Sequence, residues 1–194
     1  MGCTKLAENI TGNDCNKPLV TGVDDQIILM NWDDIDRTLS TIDPTNKFLM
    51  TNLVMKATKK GYSATGFNMS NDYDIAMVPG TYIDGYDHNL FYRIFDISAA
   101  TKLWIDNLKN SRVVAIVKNR VSSGNGAAKY EVLGWDHGLK VTELTRNQKD
   151  ADTKGGYVLK LAADDQNKES KMPLTLFKTD EATTDALVAS LYTV

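Results

Sequence analysis

Short runs of apolar residues separated by polar turns predict a chain built mainly from β-strands. Residues 26–32 form a compact apolar run whose β-branched pair favours a buried strand, and residues 48–56 form a second strand candidate. Residues 98–109 change to the i, i+3, i+4 spacing of an amphipathic helix, with Ser98 as the N-cap. The face predicted to be buried consists of Ile97, Ala100, Trp104 as a core anchor, and Leu108.

After this helix the pattern becomes that of consecutive strands joined by tight turns. Residues 122–126 suit a hairpin loop, and residues 136–138 suit a tight turn that ends on a glycine. Residues 139–144 alternate strictly, so we expect one face of that strand to be buried and the other to be wet. Thr179 is predicted to cap a C-terminal helix. The other strand candidates are residues 112–118, 129–135, 156–162 and 174–177.

These elements predict an α+β fold that is mainly β. The expected architecture is an antiparallel β-sandwich or barrel with one flanking helix, a C-terminal helix and a long hairpin arm. A length of 194 residues suits a single domain over residues 1–194. Residues 1–24 contain several breakers of regular structure and are interpreted as an irregular N-terminal arm.

Residues 57–96 combine weak strand patterns, at 62–69, 73–78 and 90–96, with loops rich in Gly, Asn and Asp. We interpret them as an inserted arm within the β core that orders against a neighbouring subunit, because Tyr supplies contact area at low entropic cost. A plain excursion over the protein's own surface is an open alternative. The candidate subunit-interface residues are Tyr62, Phe67, Tyr73, Tyr82 and Tyr86.

Composition and charge exclude several classes of protein. Hydrophobic residues make up 42% of the chain, which is far more than an intrinsically disordered protein contains. Every apolar run is too short to cross a membrane, so no membrane partner is expected. The formal net charge of -3 gives no overall attraction for nucleic acid, although a local basic patch stays open as an alternative.

The first residues lack the apolar segment of a secretory signal, so we expect the chain to fold in a host cytoplasm. Cys3 and Cys15 are its two cysteines, and the sequence leaves open whether they pair. Two reduced thiols packed as small hydrophobic groups suit a reducing compartment. The two histidines, His88 and His137, have no metal-ligand spacing to these cysteines, so zinc is not expected.

The sequence lacks the common catalytic and cofactor-binding motifs. It contains no G-x-x-x-x-G-K phosphate loop, no dinucleotide fingerprint at a strand–helix junction and no G-x-S-x-G nucleophile elbow. His137 beside Asp136 is interpreted as a solvated turn residue, because adjacent turn side chains diverge. We therefore expect no enzyme activity, no cofactor and no metal ion.

Clusters of aspartates raise the question of a hard-cation site. None of them has the spacing of an EF-hand loop, and Asp favours turns through bonds from its side chain to the backbone. The turn interpretation is therefore preferred. A rival hypothesis keeps residues 57–96 as the pocket of a small-ligand binder or an enzyme, lined by Asp72, Tyr73, Asp84 and His88. The clusters are Asp33, Asp34 and Asp36; Asp72 and Asp74; and Asp84 and Asp87.

The order of several motifs resembles a group of structural proteins from tailed phages of gut bacteria. The resemblance covers roughly half of the chain and does not extend to residues 57–96 or to the tail after residue 170. Each motif is short, and their order along the chain carries the likeness. The motifs are residues 1–4 with Cys15, 22–24, 27–35, 100–108, 113–118, 130–139 and 156–161, where the group tends to have G-Y-T-L-T-F.

The resemblance implies a virion protein, a tail-tube or tail-ring subunit that assembles into a closed oligomeric ring. Its implied partners are copies of itself, neighbouring phage tail or connector proteins, and genomic DNA that passes through the lumen without sequence-specific binding. Its implied location is the virion tail. A capsid decoration or head-fibre protein is an alternative with the same β-rich pattern. Subunits of this kind close a ring by continuing their sheets across the subunit boundary, which pairs otherwise free edge strands.

Overall fold

A computed structural model describes residues 22–67, 70–80, 84–120, 126–164 and 167–193. The helices in these residues are α1 (Ala99–Lys109) and α2 (Glu181–Ser190), and one 3-10 turn spans Trp32–Asp34. The strands are β1 (Val23–Asn31), β2 (Thr41–Ile42), β3 (Leu49–Asn52), β4 (Gly61–Thr65), β5 (Asp72–Val78), β6 (Gly85–Ile94), β7 (Val113–Asn119), β8 (Tyr130–Leu133), β9 (Lys140–Arg146), β10 (Tyr157–Ala162), β11 (Leu174–Leu176) and β12 (Tyr192–Thr193).

The strands form two sheets. The large sheet has eight strands in the order β12-β4-β1-β7-β8-β11-β3-β2, and the small sheet has four in the order β5-β6-β10-β9. Pairing is antiparallel except between β11 and β3 and between β12 and β4. The mainly β sandwich is therefore confirmed. The barrel alternative is wrong, because neither sheet closes on itself in the described part of the chain.

One hydrophobic core lies between the two sheets. Alternate residues of β1 and β7 in the large sheet face alternate residues of β6 and β10 in the small sheet, as the twofold period of a strand requires. Two side chains of α1, Ile105 and Leu108, close this core at one end. The strand residues at its centre are Ile27, Leu29, Ala115, Val117, Leu90, Tyr92, Leu159 and Leu161.

A second core covers the opposite face of the large sheet. Ile28 and Met30 of β1 and Val114 and Ile116 of β7 point to this side, where α2 contributes Val188. Both faces of the large sheet are thus buried at its strands β1 and β7. This double burial explains the continuous apolar run of β7, whose first five residues are all buried.

Both helices form where the sequence predicts them, with corrections of detail. Ser98 caps α1, and its side chain accepts a hydrogen bond from the backbone N–H of Thr101. The buried face of α1 consists of Ile105 and Leu108, whereas Ile97 is 51% exposed, so the predicted face is rotated. The N-cap of α2 is Asp180, one residue after the predicted Thr179, because Asp180 forms a capping box with Thr183.

The described residues of the range 57–96 belong to the sandwich through β4, β5 and β6 and do not form an arm that stands apart from it. β4 lies between β12 and β1 of the large sheet, and β6 is an inner strand of the small sheet. The predicted hairpin is present as β5 and β6, and the β6 side chains enter the core between the sheets. The end of the predicted N-terminal arm belongs to β1, while Cys3 and Cys15 lie outside the described residues.

Candidate functional site

The aromatic residues predicted as a subunit interface are distributed over both sheets. Tyr62 lies on β4 and is 54% exposed. Phe67 follows that strand, is 63% exposed, and meets Phe95 edge to face at a centroid distance of 5.8 Å. Tyr73 and Tyr86 belong to the small sheet, in β5 and β6. The fifth predicted residue, Tyr82, lies outside the described residues.

Tyr73 and Tyr86 are engaged within the chain itself. The Tyr73 hydroxyl lies 2.9 Å from a carboxylate oxygen of Glu131 and 3.1 Å from the side-chain oxygen of Asn119, so it joins the small sheet to the large one. Burial and the neighbouring carboxylate raise the pKa of Tyr73. The backbone of Tyr86 exchanges two hydrogen bonds with Glu169. Of the described candidates, Tyr62 and Phe67 therefore present the most open aromatic surface.

The two edges of the small sheet are its most open features. β5 forms one edge and β9 the other, and most residues of both strands are exposed. β5 is held through β6, and β9 through β10, on one side each. A strand at a sheet edge presents backbone donors and acceptors on its free side that another strand can pair with.

The two edges have opposite charge. β5 carries Asp72 and Asp74 and no basic residue. β9 carries Lys140 and Arg146 against a single acidic residue, Glu143. Opposite charges steer two surfaces together and fix their orientation. The small sheet is therefore suited to head-to-tail contact between copies of itself.

The directions of the strands also suit such contact. Each neighbouring pair in the small sheet is antiparallel, so β5 and β9, at the two ends of the order, run in opposite directions. If a second copy is placed by rotation about an axis along the strands, its β5 runs antiparallel to β9 of the first. The sheet can thus continue from copy to copy without changing its pattern of pairing.

A groove of about 400 Å³ separates α1 from β9. Its floor is apolar and includes Val141, Leu144 and Tyr157 of the small sheet. Its helix wall carries Lys102, Asp106 and Lys109 in addition to Ile105. Leu144 is 48% exposed even though it lies opposite the core residue Leu159, because the groove leaves it uncovered.

A second cleft of about 320 Å³ lies on the other side of α1. Tyr62 and Trp104 supply its aromatic surface, and Asn31, Asn107 and Ser111 are its polar residues. Trp104 is partly buried, and its ring contacts that of Tyr92 edge to face at a centroid distance of 6.1 Å. This contact links the helix to the core. The cleft places the predicted interface residue Tyr62 beside the helix.

The residues proposed for a ligand pocket do not converge. Tyr73 points toward Glu131, and Asp84 accepts a hydrogen bond from the backbone of Gly80. His88 is only 1% exposed and lies between the backbone of Gly134 and that of Lys171. None of these three residues, nor Asp72, lines the grooves described above.

His88 is held as a neutral ring. The backbone N–H of Gly134 donates to Nδ1 at 3.2 Å, which leaves Nε2 to donate to the carbonyl of Lys171 at 2.9 Å. Burial lowers its pKa from 6.5 to about 4. This ring therefore connects the small sheet to the segment that follows β8 and to the segment that precedes β11, and it has no free nitrogen for catalysis.

The first aspartate cluster acts in local turns, whereas Asp72, Asp74 and Asp87 lie in the strands β5 and β6, where the turn interpretation is wrong. Asp36 accepts hydrogen bonds from the backbone N–H groups of Thr38 and Leu39, as expected for a turn residue. Asp34 accepts from the Asn31 amide, and the same Asn31 interaction is the leading cause of a lowered pKa at Asp34. Within the described residues, no three His, Cys, Asp or Glu side chains are arranged to hold a metal ion.

The turn around Asp136 depends on a buried carboxylate that the sequence pattern did not reveal. Glu169 is 1% exposed, and its two oxygens accept the backbone N–H groups of Asp136 and His137 at 2.7 and 2.8 Å. Burial raises the pKa of Glu169. A lone Glu in a polar stretch has no local signal for such a role, since the N–H groups that donate to it come from a distant turn.

The local sequence likewise gives no sign of the environment of Arg37. Its guanidinium lies 4.0 Å from the ring centre of Trp135 and 4.6 Å from that of Trp32, and Arg112 lies 3.8 Å from the Trp32 ring. Nε and Nη2 of Arg37 and Nε1 of Trp32 are buried without a hydrogen-bond acceptor in the described part of the chain. Burial is the main cause that lowers the pKa of Arg37. This stack of cations and indoles is a packing feature of the large sheet.

Comparison with known proteins gives no assignment. In the described residues, no helix is long and apolar enough to cross a membrane. The chain matches no family model, no curated protein and no solved structure.

Proposed function

We propose that this chain is a virion structural protein, a tail-tube or tail-ring subunit that assembles into a closed ring through which DNA passes. The observation that carries the proposal is the small sheet, which has two exposed, oppositely charged edge strands running in opposite directions. The ordered sequence motifs support the assignment to a tailed phage. Neighbouring tail or connector proteins are its proposed partners in the virion.

Ring closure follows from head-to-tail pairing of these edges. Each copy offers β5 to one neighbour and β9 to the other, so the contact is heterologous and closes when the rotation between copies divides a full turn. Pairing satisfies the outer backbone groups of both edges, which bond to no other strand within the described residues and would otherwise favour aggregation. The rotation, and with it the number of subunits, depends on the twist across the new strand pair.

We propose that the outward face of the small sheet lines the lumen. Its residues alternate with those that enter the core, and most are partly or fully exposed. Acidic and basic groups are nearly balanced on this face, so phosphates would be neither strongly held nor strongly repelled. The charged residues are Asp72, Asp74, Asp87, Glu143, Lys140, Lys160 and Arg93.

The proposal is tested by the mass and shape of the assembled protein. We expect purified full-length chain to form ring-shaped particles in electron micrographs, with a particle mass that is a constant multiple of 21.5 kDa. Chain that stays monomeric at high concentration, with no rings, contradicts the proposal. Labelling of virions separates a tail location from the capsid decoration or head-fibre alternative.

An edge variant tests whether the small sheet carries the contact. Asp72→Lys replaces an exposed acid of β5 by a cation and should reduce ring formation, because the edge of β9 is basic. Asp152→Lys makes the same change of net charge at an exposed residue outside both edge strands, and it should assemble normally. Equal assembly of the two variants would exclude this edge as the contact.

A further inference from the structure

The inward-facing row of β5 ends in an uncovered methionine. Tyr73, Ile75 and Met77 lie opposite Leu90, His88 and Tyr86 of β6, and therefore share the face that points toward the core. Tyr73 and Ile75 are partly buried, whereas Met77 is 61% exposed. A flexible apolar side chain left open on an inward face is suited to fill a gap on another molecule.

The groove between α1 and β9 is open on the same face of the same sheet. Val141 and Leu144 lie opposite Leu161 and Leu159 of β10, so they point to the core side, and both line the groove. A strand added beyond β9 would place its inward-facing side chains beside these two residues and in front of α1. The groove therefore lies where the sheet would continue.

An added strand must keep its inward-facing residues on the same face as those of β9, and this requirement limits its register. In the antiparallel register with the greatest overlap that keeps inward residues on one face, Tyr73 of the second copy lies opposite Arg146, and Ile75 lies opposite Leu144. β9 contains a bulge between its pairs with Lys160 and Leu161, which shifts the register by one residue. Met77 then lies beside Val141.

We propose that the groove between α1 and β9 receives Met77 of a second copy of this chain. This inference rests on the proposed ring and adds the contact that fixes its register. The opposite net charges of β5 and β9 steer a second copy to this edge, although the register places no Asp of β5 directly opposite Lys140 or Arg146. The aliphatic parts of Lys102 and Lys109 can cover the methionine while their ammonium groups stay in water.

A pair of cysteines tests the contact in the full-length chain. The native Cys3 and Cys15 are replaced by Ser, and Met77→Cys is combined with Val141→Cys. Side chains directly opposite one another in an antiparallel pair are close enough for a disulfide after small adjustment. On a denaturing gel, mild oxidation should convert most chains into a ladder of covalent oligomers, and a reducing agent should return these bands to the monomer.

A matched pair controls for random collision. Met172 is a 48% exposed methionine outside β5, and Met172→Cys with Val141→Cys should form no covalent oligomers on oxidation, so that it runs as a monomer on a denaturing gel. A ladder of equal extent from both pairs would overturn the proposed contact.

The outcome is read together with particle shape, so that the two proposals fail separately. Rings without the Met77–Val141 ladder overturn the groove contact and leave the ring. The ladder without closed particles supports the groove contact and contradicts ring closure. Absence of both contradicts both proposals.

A change of charge at the same boundary gives an independent measurement. The proposed register brings Ala76 of one copy opposite Glu143 of the next, on the outward face. Ala76→Asp should weaken assembly and Ala76→Lys should not, since like charges directly opposite one another are destabilising. Both variants alter one exposed residue, so circular dichroism should report an unchanged fold. If Ala76→Asp assembles as well as Ala76→Lys, this register is wrong.

Discussion

The two sheets of this protein bury their strands to different extents. β7, in the large sheet, has its first five residues buried and is covered on both faces. β9, at the edge of the small sheet, has a single residue that is not exposed. The large sheet thus uses its apolar residues to hold one chain together, whereas the small sheet keeps apolar and charged residues available at its edges.

The difference in burial assigns the stability of the folded chain to the large sheet and its contacts with other chains to the edges of the small sheet. Substitution in the large sheet should act on folding, because both cores meet there. Substitution on the edges of the small sheet should leave the isolated subunit folded and act on its contacts.

The largest expected effect comes from truncating one isoleucine in each sheet. Ile116→Ala removes a side chain that is 1% exposed and should lower the free energy of unfolding by about 3 kcal/mol. Ile75→Ala changes a half-buried residue on the edge strand β5 and should cost about 1 kcal/mol. Denaturant titration of both variants measures the difference, and equal losses would contradict the separation of roles.

The second prediction concerns the loss of folding stability at acid pH. His88 joins β6 to Gly134 and Lys171, and its pKa is lowered to about 4 in the folded chain from 6.5 when unfolded. Stability from the neutral ring is therefore complete above pH 6.5 and declines as the pH falls toward 4. By linkage the loss reaches at most about 3 kcal/mol.

Two comparisons isolate this contribution. Glu169 has a raised pKa and so shifts stability in the opposite direction, favouring the folded state as acid protonates it. His88→Gln should remove the histidine part of the pH dependence, and His137→Gln, at an exposed turn, should retain it. Thermal melts of the three proteins between pH 7 and pH 4 make the comparison. If His88→Gln is as sensitive to acid as the unmodified chain, the pH dependence of stability comes from groups other than His88.

The sequence predicts these strands well because their patterns are local. The continuous apolar run at 112–118 reflects burial on two faces. The alternation at 139–144 predicts the strand β9, but the expected buried face is wrong, because Val141 is the one residue of that strand that is not exposed. Sheet membership is not local. β4 and β5 are consecutive strands in the region interpreted as an arm, yet they join different sheets, and β4 pairs with β1 and β12, which are distant in the chain.

The candidate site also depends on contacts between residues that are distant in the sequence. Aromatic content marked residues 57–96 as a contact region, but Tyr73 is engaged because Glu131 and Asn119 reach it from β8 and β7. The open edges of the small sheet depend on strand order, which no short motif encodes. Arg37 and Glu169 look like solvated charges in the sequence, and only the fold places rings and backbone N–H groups around them.

A third prediction distinguishes a link within the chain from an interface. Tyr73→Phe removes the hydroxyl that donates to Glu131 and should lower the free energy of unfolding by about 1.5 kcal/mol, as for a bond to a charged group. Ring formation should be unchanged, because the aromatic ring remains. Tyr62→Phe, at an exposed ring, is the matched control and should leave stability unaltered. If Tyr73→Phe loses assembly but keeps its stability, the Tyr73 hydroxyl acts at the interface between subunits and not within the chain.

The smallest predicted effect lies on the outer face of the large sheet. Arg37 gains from two indole rings, but two of its nitrogens are buried without acceptors in the described part of the chain. Each stack contributes about 1 kcal/mol, and unmade buried bonds cost a similar amount, so Arg37→Met should change the free energy of unfolding by less than about 1 kcal/mol. Arg37→Lys should be the less stable variant in denaturant titration, because its ammonium keeps the buried charge and loses the planar stacking that Trp32 and Trp135 require. If Arg37→Met proves far less stable than Arg37→Lys, the cation itself holds this face together, and the large sheet depends on charge as well as on apolar packing.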